Sequence, residues 1–552
     1  MRPVLPRGRF PISDFQLPIN DLPANRQSAI LATIPMLTST RLIAFALFYF
    51  VFATASQTAI AQDSSKVQTP AFERVVHVTA PAANDSRYMY IPFDVPAQAV
   101  RISVSYQYDR ANGANTIDIG LFDARSTGSD TNPRGFRGWS GGRRSVFFVS
   151  RDEATPGYLR GALPAGKWRV ILGLYRIAAA GVDVSLKVEV ETRNQRLPTA
   201  TASSREPGPA TNSAFSMPVP AKPGSLGRSG HWWKGDLHMH TVHSDGNWTV
   251  AELISSARKS GLDFIAITDH NTASHHEEID RLSKGSRQPL VLRGEEITTY
   301  GGHTNAWGLP AGTWIDFRTR PGDSSRIANI AAQAHRAGAL ISINHPFVLC
   351  GGCSWSYDPS ARDFDSIEVW NGPWDFTDEP AVKMWDKVLQ SGRRITAIAS
   401  SDSHRPDAPI GKPTTHVAAR VLSQRSLLQG IRQGHVFLTD GTDRIVLNFE
   451  AEWTRDSRRS LAVIGDEIRL LGPGKVSFTV STPVAPPDAT VSLISNGEVI
   501  QSFPAKTAGL PQLIEIDCQR DAYFRLEVRD AANTMLALTN PIYVKVAKRH
   551  GQ

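Results

Sequence analysis

Thirteen of the 15 histidines lie between His231 and His435, and several of them stand where short apolar runs end. The run D-L-H-M-H spans 236–240. Residues two apart on a strand face the same way, so His238 and His240 present two imidazoles together, which suits a metal. The run after Asp263 ends on Asp269-His270-Asn271, and that after Leu290 on Glu295-Glu296. Gly301 and Gly302 lead into His303, which opens H-T-N-A-W-G-L. A-L-I-S-I-N-H-P ends on His345, the strand from Ile367 carries Glu368, and the run from Arg394 ends on Asp402-Ser403-His404.

Helical patterns separate these runs. Val250, Leu253, Ile254 and Ala257 keep i, i+3, i+4, i+7 spacing before a stop at Gly261, and a further helix is predicted over 325–337. Short strands alternating with helices predict βα units. In a barrel of parallel strands the strand ends converge on one face. Burying so many ionisable groups together is costly unless a metal pairs with them, so the block predicts a metal centre.

The rest of the chain reads differently. Residues 62–195 alternate apolar and polar with period two between Gly, Pro and Asn clusters, which predicts an antiparallel β-sandwich. Residues 196–230 are rich in Pro, Ser, Thr, Ala and Gly and read as a linker. The βα block fills 231–440. Strand patterns return over 441–552, with Asn496-Gly497 as a two-residue hairpin turn and a second β-sandwich expected.

Residues 1–61 read as a secretory signal segment. Residues 42–55 are apolar and uncharged, Arg41 precedes them, and Ala59, Ile60 and Ala61 offer a cleavage site near Ala61. Met36 gives a compact amino-terminal region and is the expected true start. The apolar run falls short of the roughly 20 residues of a membrane-spanning helix. The expectation is an exported protein, periplasmic or secreted, with no membrane span in the mature chain.

Lys and Arg exceed Asp and Glu by 60 to 52, without any basic block, so nucleic acid is not an expected partner. With 41% apolar and 20% charged residues, wholesale disorder and coiled coil are excluded. Three cysteines cannot build a disulfide scaffold. In an oxidising compartment Cys350 and Cys353 are expected to pair locally, beside the site, and Cys518 to be buried and free. Trp355, Trp370 and Trp374 either wall a pocket or pack at the barrel edge.

H-x-H-T-x-x-S-D-G, T-D-H-N, G-x-E-x-T, N-H-P and S-D-S-H stand in this order between 238 and 404. Together they resemble the PHP (polymerase and histidinol phosphatase) metallohydrolases. G-G-H-T-N-A-W-G-L, E-V-W-N and the flanking β regions resemble the carbaryl-hydrolase-like CehA/McbA branch. An amidohydrolase-type barrel also begins with H-x-H, but lacks the T-D-H-N and D-S-H pair. The resemblance implies a distorted (β/α)7 barrel and two or three divalent metals, Zn, Mn or Fe.

By motif, the resemblance assigns His238, His240, Glu296 and Asp402 to a first metal. Glu296 would bridge to a second held by His303 and His345, and Asp245, His270 and His404 would hold a third. Glu295 beside Glu296 leaves a one-residue alternative open. His243 is placed behind the ligands. His275, His276, His335, His416 and His435 have no motif and are left as surface or packing residues.

A metal lowers the pKa of its water and gives hydroxide near neutral pH, so no side-chain nucleophile is needed. No G-x-S-x-G elbow and no P-loop occur. Asn271, Asn305 and Arg405 adjoin ligands and are the candidates to touch a substrate oxyanion, Arg405 through its fork of donors. Three functions follow as expectations. The first is a phosphoesterase acting on a small phosphate ester or diester. The second is a hydrolase of carbamates, carboxylic esters or amides, and the third a non-catalytic surface binding protein with a vestigial barrel.

Overall fold

A computed structural model describes residues 66–68, 72–193 and 231–547, apart from 285–288, 351, 443, 456–457 and 508. The expected signal segment (1–61) and the whole of the expected linker (196–230) lie outside the described residues. Among those described, no helix is long and apolar enough to cross a membrane.

Residues 66–193 form two antiparallel sheets. One orders Lys66–Gln68, Val182–Arg193, Ala99–Tyr108 and Val146–Ser150, with Phe72–Val78 also on Val182–Arg193; the other orders Tyr88–Val95, Gly166–Arg176, Thr116–Phe122 and Phe136–Gly141. The period-two alternation explains the stacking. Val104, Phe147 and Val184 from the first sheet meet Ile119, Trp168 and Val170 from the second in one core. The second sheet also buries its other face. Tyr88, Phe122, Phe136, Trp139 and Ile171 join the core of the histidine-rich block, where Phe136 stacks on Trp314 at 3.8 Å and Trp139 lies 4.8 Å from Phe317. The buried Arg318 seals this contact by donating to the carbonyls of Ser129 and Asn132.

The histidine-rich block is built on one mixed sheet. Its strands run in the order Thr396–Ser400, Ser366–Asn371, Leu340–Asn344, Gly302–Trp307, Leu290–Thr299, Phe264–Ile267 and His231–Asp236. Most neighbours are parallel. The Gly301-Gly302 turn folds Gly302–Trp307 back antiparallel on both sides, so no helix intervenes there and the βα alternation is broken. Five α-helices are present among the described residues. The strand ladders run open; an isolated parallel bridge, Met239 to Ser403, links the chain leaving the first strand to the chain leaving the last.

Local signals explain the helices. Thr249 accepts from the Glu252 amide and Glu252 reaches back to the Thr249 amide, a capping box at the start of Val250–Lys259. Val250, Leu253, Ile254 and Ala257 are the buried face, and Gly261 takes φ +67 beyond its end.

The carboxyl-terminal strands do not begin a separate sheet at 441. Val436–Thr439 pairs with Met535–Thr539, so the central sheet continues through Ala522–Arg529 and Thr490–Ser495 to Glu498–Pro504. A four-stranded sheet, Arg458–Val463, Val446–Arg455, Gly474–Val484 and Gln512–Cys518, packs against that extension around Phe449, Phe478 and Phe524. Asn496 (φ 52) and Gly497 (φ 85) make the tight turn between Thr490–Ser495 and Glu498–Pro504. Cys518 is buried and free.

Candidate metal centre

The strand that the H-x-H motif extends ends at Asp236, so His238 and His240 lie just beyond it rather than within it. The Met239–Ser403 bridge keeps this stretch extended and both rings on one side, 5.0 Å apart. Asp236 fixes the stretch by accepting from the amides of His238, Ser401 and Gly411. Asp269, the acid of T-D-H-N, is consumed in the same way. It accepts from the Thr241 amide and hydroxyl and from Ser244.

Nine side chains then meet: His238, His240, Asp245, His270, Glu296, His303, His345, Asp402 and His404. They form overlapping groups whose donor atoms lie within 4.8 Å of one another. His238 and His240 face Asp402, with Nε2 to Oδ1 distances of 3.3 and 3.1 Å. His238 and His345 both approach Glu296 Oε1 at 3.3 Å. Glu296 also receives His303 (3.2 Å) and, through its other oxygen, His270 (2.8 Å). Asp245 lies 3.5 Å from His270 and 3.3 Å from His404, and His240 completes that last group. His303 therefore groups with His270 and Glu296, and His240 touches two groups. Glu295 faces the other way, accepting from the Ile315 amide, because neighbouring strand residues point to opposite faces.

The donor set fits divalent metal. His238 Nε2, His240 Nε2, Glu296 Oε2 and Asp402 Oδ1 are all buried without a hydrogen-bond partner. Buried polar atoms are rarely left so unless something else satisfies them. Imidazoles mixed with carboxylates suit Zn, Mn or Fe alike. Charge coupling is strong throughout. Burial opposes ionisation of Glu296 and Asp402, but the surrounding imidazoles outweigh it and hold both carboxyls well below the usual range. His238 is raised despite burial by Asp402, Glu296 and Glu368, and His270 is raised to about 9 by Glu296 and Asp245. Burial, with His404 and His270 beside it, pushes His240 down to about 4.

Backbone strain concentrates here. Asn271, His345 and Asp402 have φ of 51, 25 and 50, each at a strand end of the cluster. Such conformations cost about 1–3 kcal/mol each and persist where surrounding bonds over-determine them. Gly246 of the S-D-G motif is needed for space, since a Cβ there would stand 2.5 Å from the His240 carbonyl oxygen.

A cavity of about 620 Å³ opens over Asp245, His270, Glu296, His303, His345, Asp402 and His404. Its opposite wall comes from the amino-terminal β region: Tyr88, Asp118, Trp139, Arg143 and Tyr175. Arg143 is anchored by donating to Asn247 at 2.8 Å. Cys350 and Cys353 are disulfide-bonded at the rim, where Tyr175 donates to the Cys350 carbonyl.

The three residues expected to touch substrate fare differently. Asn271 lines the cavity, but both ends of its amide are bound to the Thr298 backbone, so it positions that strand. Asn305 lies two residues deeper on its strand than His303, fully buried and outside the cavity wall. Arg405 points outward, 65% exposed and 3.4 Å from Asp407, because the loop after His404 turns away. Among the described lining residues, the guanidinium-bearing side chain is that of Arg143 instead.

The tryptophan trio packs rather than walling the cavity: Trp355 covers Gly302 and meets Phe364, and Trp370 meets Trp374. His243 turns to Ser274 and Glu278, while His275 and His276 are buried against the Gly294 carbonyl. His335 meets Asp365, His416 stacks on Phe437 and His435 meets Asp466.

Sequence reasoning gave no role to Glu368, Asp118 or Arg143. Glu368 stood in the strand E-V-W-N with a visible carboxylate. For Asp118, only the alternation with Ile117 and Ile119 marked an outward-facing acid, and nothing marked what covers it.

The PHP domain family model matches residues 236–306, which hold the first six of the nine clustered side chains. The chain is 35% identical over 77 residues to the DNA polymerase/3'-5' exonuclease PolX of Bacillus subtilis, 12% of this chain and 14% of that protein. It is 33% identical over 79 residues to an uncharacterized protein of Methanocaldococcus jannaschii, 12% of this chain and 46% of that one. The chain thus spans less than half the length of either relative. Among solved structures, it is similar to a two-domain protein of Bacteroides vulgatus described as containing a predicted PHP-like metal-dependent phosphoesterase. That likeness has a TM-score of 0.33 and 17% identity over 58% of this chain and 97% of the other. Residues 236–306 match the PHP domain, and the side chains clustered on and around them form a donor set that fits divalent metal.

Proposed function

We propose that this protein is an exported PHP-type hydrolase of small phosphate esters or diesters, dependent on two or three divalent metals. The observation that carries the reading is the nine-residue cluster with unsatisfied buried donors, set in the floor of a cavity that has a guanidinium in its wall. Bound metal would supply a hydroxide near neutral pH and polarise the P=O or C=O group under attack.

The chain's own residues do the rest. His238, His240, Glu296, Asp402, His303 and His345 would hold two metals, with Asp245, His270 and His404 for a third. Glu368 orients His238 from behind. Arg143 lines the cavity, and its fork would suit a phosphate. The β walls and the disulfide-bonded rim limit bulk water and ligand size.

A second reading is a carbamate, carboxylic ester or amide hydrolase of the CehA/McbA type. It is favoured by Tyr88, Trp139, Tyr175, Tyr300 and Phe317 in the cavity wall, where Arg143 is the sole Lys or Arg among the described lining residues. The overall plan would then be a β-sandwich, a linker, a PHP barrel closed through the Met239–Ser403 contact, and a second β-sandwich. Cleavage near Ala61 would deliver it outside the cytoplasm, with no nucleic-acid partner.

The test is metal analysis of the chain from residue 62 together with turnover of bis-p-nitrophenyl phosphate, p-nitrophenyl phosphate and 1-naphthyl N-methylcarbamate, with Mn, Zn or a chelator. Two or three metals and phosphate-ester turnover are expected. Carbamate turnover alone would transfer the assignment to the second reading. Neither metal nor turnover would leave a binding protein.

A further inference from the structure

Among the described lining residues, one carboxyl stands outside the metal cluster. Asp118 lies on Thr116–Phe122, whose Ile117 and Ile119 point into the core of the amino-terminal sheets. Alternation turns Asp118 the other way, into the cavity that His270, Asp402 and His404 also line. Its Oδ2 accepts a 2.7 Å hydrogen bond from the Tyr300 hydroxyl. Its Oδ1 has no protein partner among the described residues.

Two glycines border Oδ1 and leave it uncovered by side chains of their own. A Cβ at Gly142 would stand 3.4 Å from it, and one at Gly141 3.8 Å. The residue is only partly exposed, as befits a group lining a deep cavity. Burial pushes the carboxyl up to about 6, against the Tyr300 bond and the nearby His270 charge, so it holds its proton longer than an exposed aspartate does.

We propose that Asp118, contributed by the amino-terminal β region, is the catalytic proton donor to the leaving group. The role rests on the hydrolase reading. As the bond from phosphorus (or the carbamoyl carbon) to the leaving oxygen breaks, that oxygen takes the bonding pair and the proton from Asp118 Oδ1. It departs as a neutral alcohol or phenol. The oxygen of water forms the new bond to the same centre, and the proton it sheds returns Asp118 to the acid. Tyr300 is the positioning residue, holding Oδ2 so that Oδ1 faces the reacting bond. A two-part site follows, with the attacking oxygen generated on the PHP floor and the departing one protonated from the β wall.

The experiment compares leaving groups in the full chain. Kinetics of 4-nitrophenyl and phenyl esters are measured in the phosphate and the N-methylcarbamate series, for wild type, Asp118→Asn and Tyr300→Phe. Metal content and melting temperature are read alongside. A 4-nitrophenolate leaves without help, whereas phenolate gains from a proton, and general acid catalysis contributes about 10²–10⁴-fold. Asp118→Asn is expected to cut kcat/KM for the phenyl ester at least ~100-fold and for the nitrophenyl ester less than ~5-fold, with metal content retained.

Tyr300→Phe is expected to shift the ratio of the two substrates in the same direction as Asp118→Asn but by a smaller factor, ~3–20-fold, because the acid remains but is no longer held. An equal loss on both substrates in Asp118→Asn, or a loss of metal, would overturn the proposal and leave Asp118 a docking contact, and a wild-type ratio in Tyr300→Phe would overturn the positioning role of Tyr300. Wild type that turns over neither ester in either series would overturn the hydrolase reading itself, and this role with it.

Discussion

His238 Nδ1 lies 3.1 Å from Glu368 Oε1, and both side chains are fully buried. That contact leaves Nε2 of the same ring free to point at Glu296 and Asp402. Glu368 is itself tied by Asn371 Nδ2 and by the His345 amide, so one carboxylate orients two neighbouring ligands. A carboxylate behind a metal-binding imidazole fixes its tautomer, and its loss typically weakens metal affinity 10–100-fold. Glu368→Gln is therefore expected to weaken the tightest metal by about that factor, measured by competition with a fluorescent chelator. Unchanged affinity would assign Glu368 to packing alone.

The S-D-G motif depends on its glycine for room. Gly246→Ala places a methyl 2.5 Å from a backbone oxygen of the His240 peptide, which cannot yield as a flexible side chain would. The loop bearing Asp245 should move away from His270 and His404. One metal per chain is expected to be lost by elemental analysis, with the groups around Glu296 retained. Full stoichiometry would show that Asp245 holds no metal.

Asp378 gives a pH dependence whose sign is fixed. Its two oxygens accept the amides of Asn371 and Asp375, and burial raises its pKa to about 8. A carboxyl raised on folding binds its proton more tightly in the native state, so its contribution to stability falls as pH rises from about 4 to 8. Asp378→Asn loses one accepted bond and should be the less stable form at pH 5. The gap should narrow by pH 8 in urea titrations at several pH values. A gap independent of pH would mean the carboxyl is ionised throughout.

The extension of the central sheet is clamped by a buried ion cluster. Arg525 donates to both oxygens of Asp386 on the helix Asp378–Gln390 and to Glu527, and the Tyr523 hydroxyl donates to Asp386. Removing one partner strands buried charge and costs about 3–5 kcal/mol. Arg525→Ala should lower the urea midpoint accordingly while the metal content of the folded protein stays unchanged. Metal loss in the folded variant would show that the clamp reaches the site.

Much of the site could be read along the chain because its ligands sit at the ends of short apolar runs, and strand alternation is a local rule. His238 with His240, or Glu296 as against Glu295, differ in ways that two or three neighbouring residues express. The oxyanion candidates were less legible. Adjacency in sequence placed Arg405, Asn271 and Asn305 next to ligands, yet Arg405 sits on a loop that turns outward, Asn305 lies two residues deeper, and Asn271, which does line the cavity, has its amide bound to Thr298. The boundary at 441 was equally hidden, since Val436–Thr439 finds its partner about 100 residues later in Met535–Thr539.

By itself the sequence determined the local elements and the chemistry of the donor set: capped amphipathic helices, period-two strands, and imidazoles and carboxylates spaced for metal. These follow from backbone periodicity and side-chain type, which need no distant partner. The tertiary structure alone decided what faces the cluster. Asp118, Trp139 and Arg143 reach it only because Phe136 and Trp139 bury an outer sheet face against Trp314 and Phe317. Apolar burial is non-directional, so no local pattern announces which surface will cover it, or which polar side chains that contact carries to the cavity wall.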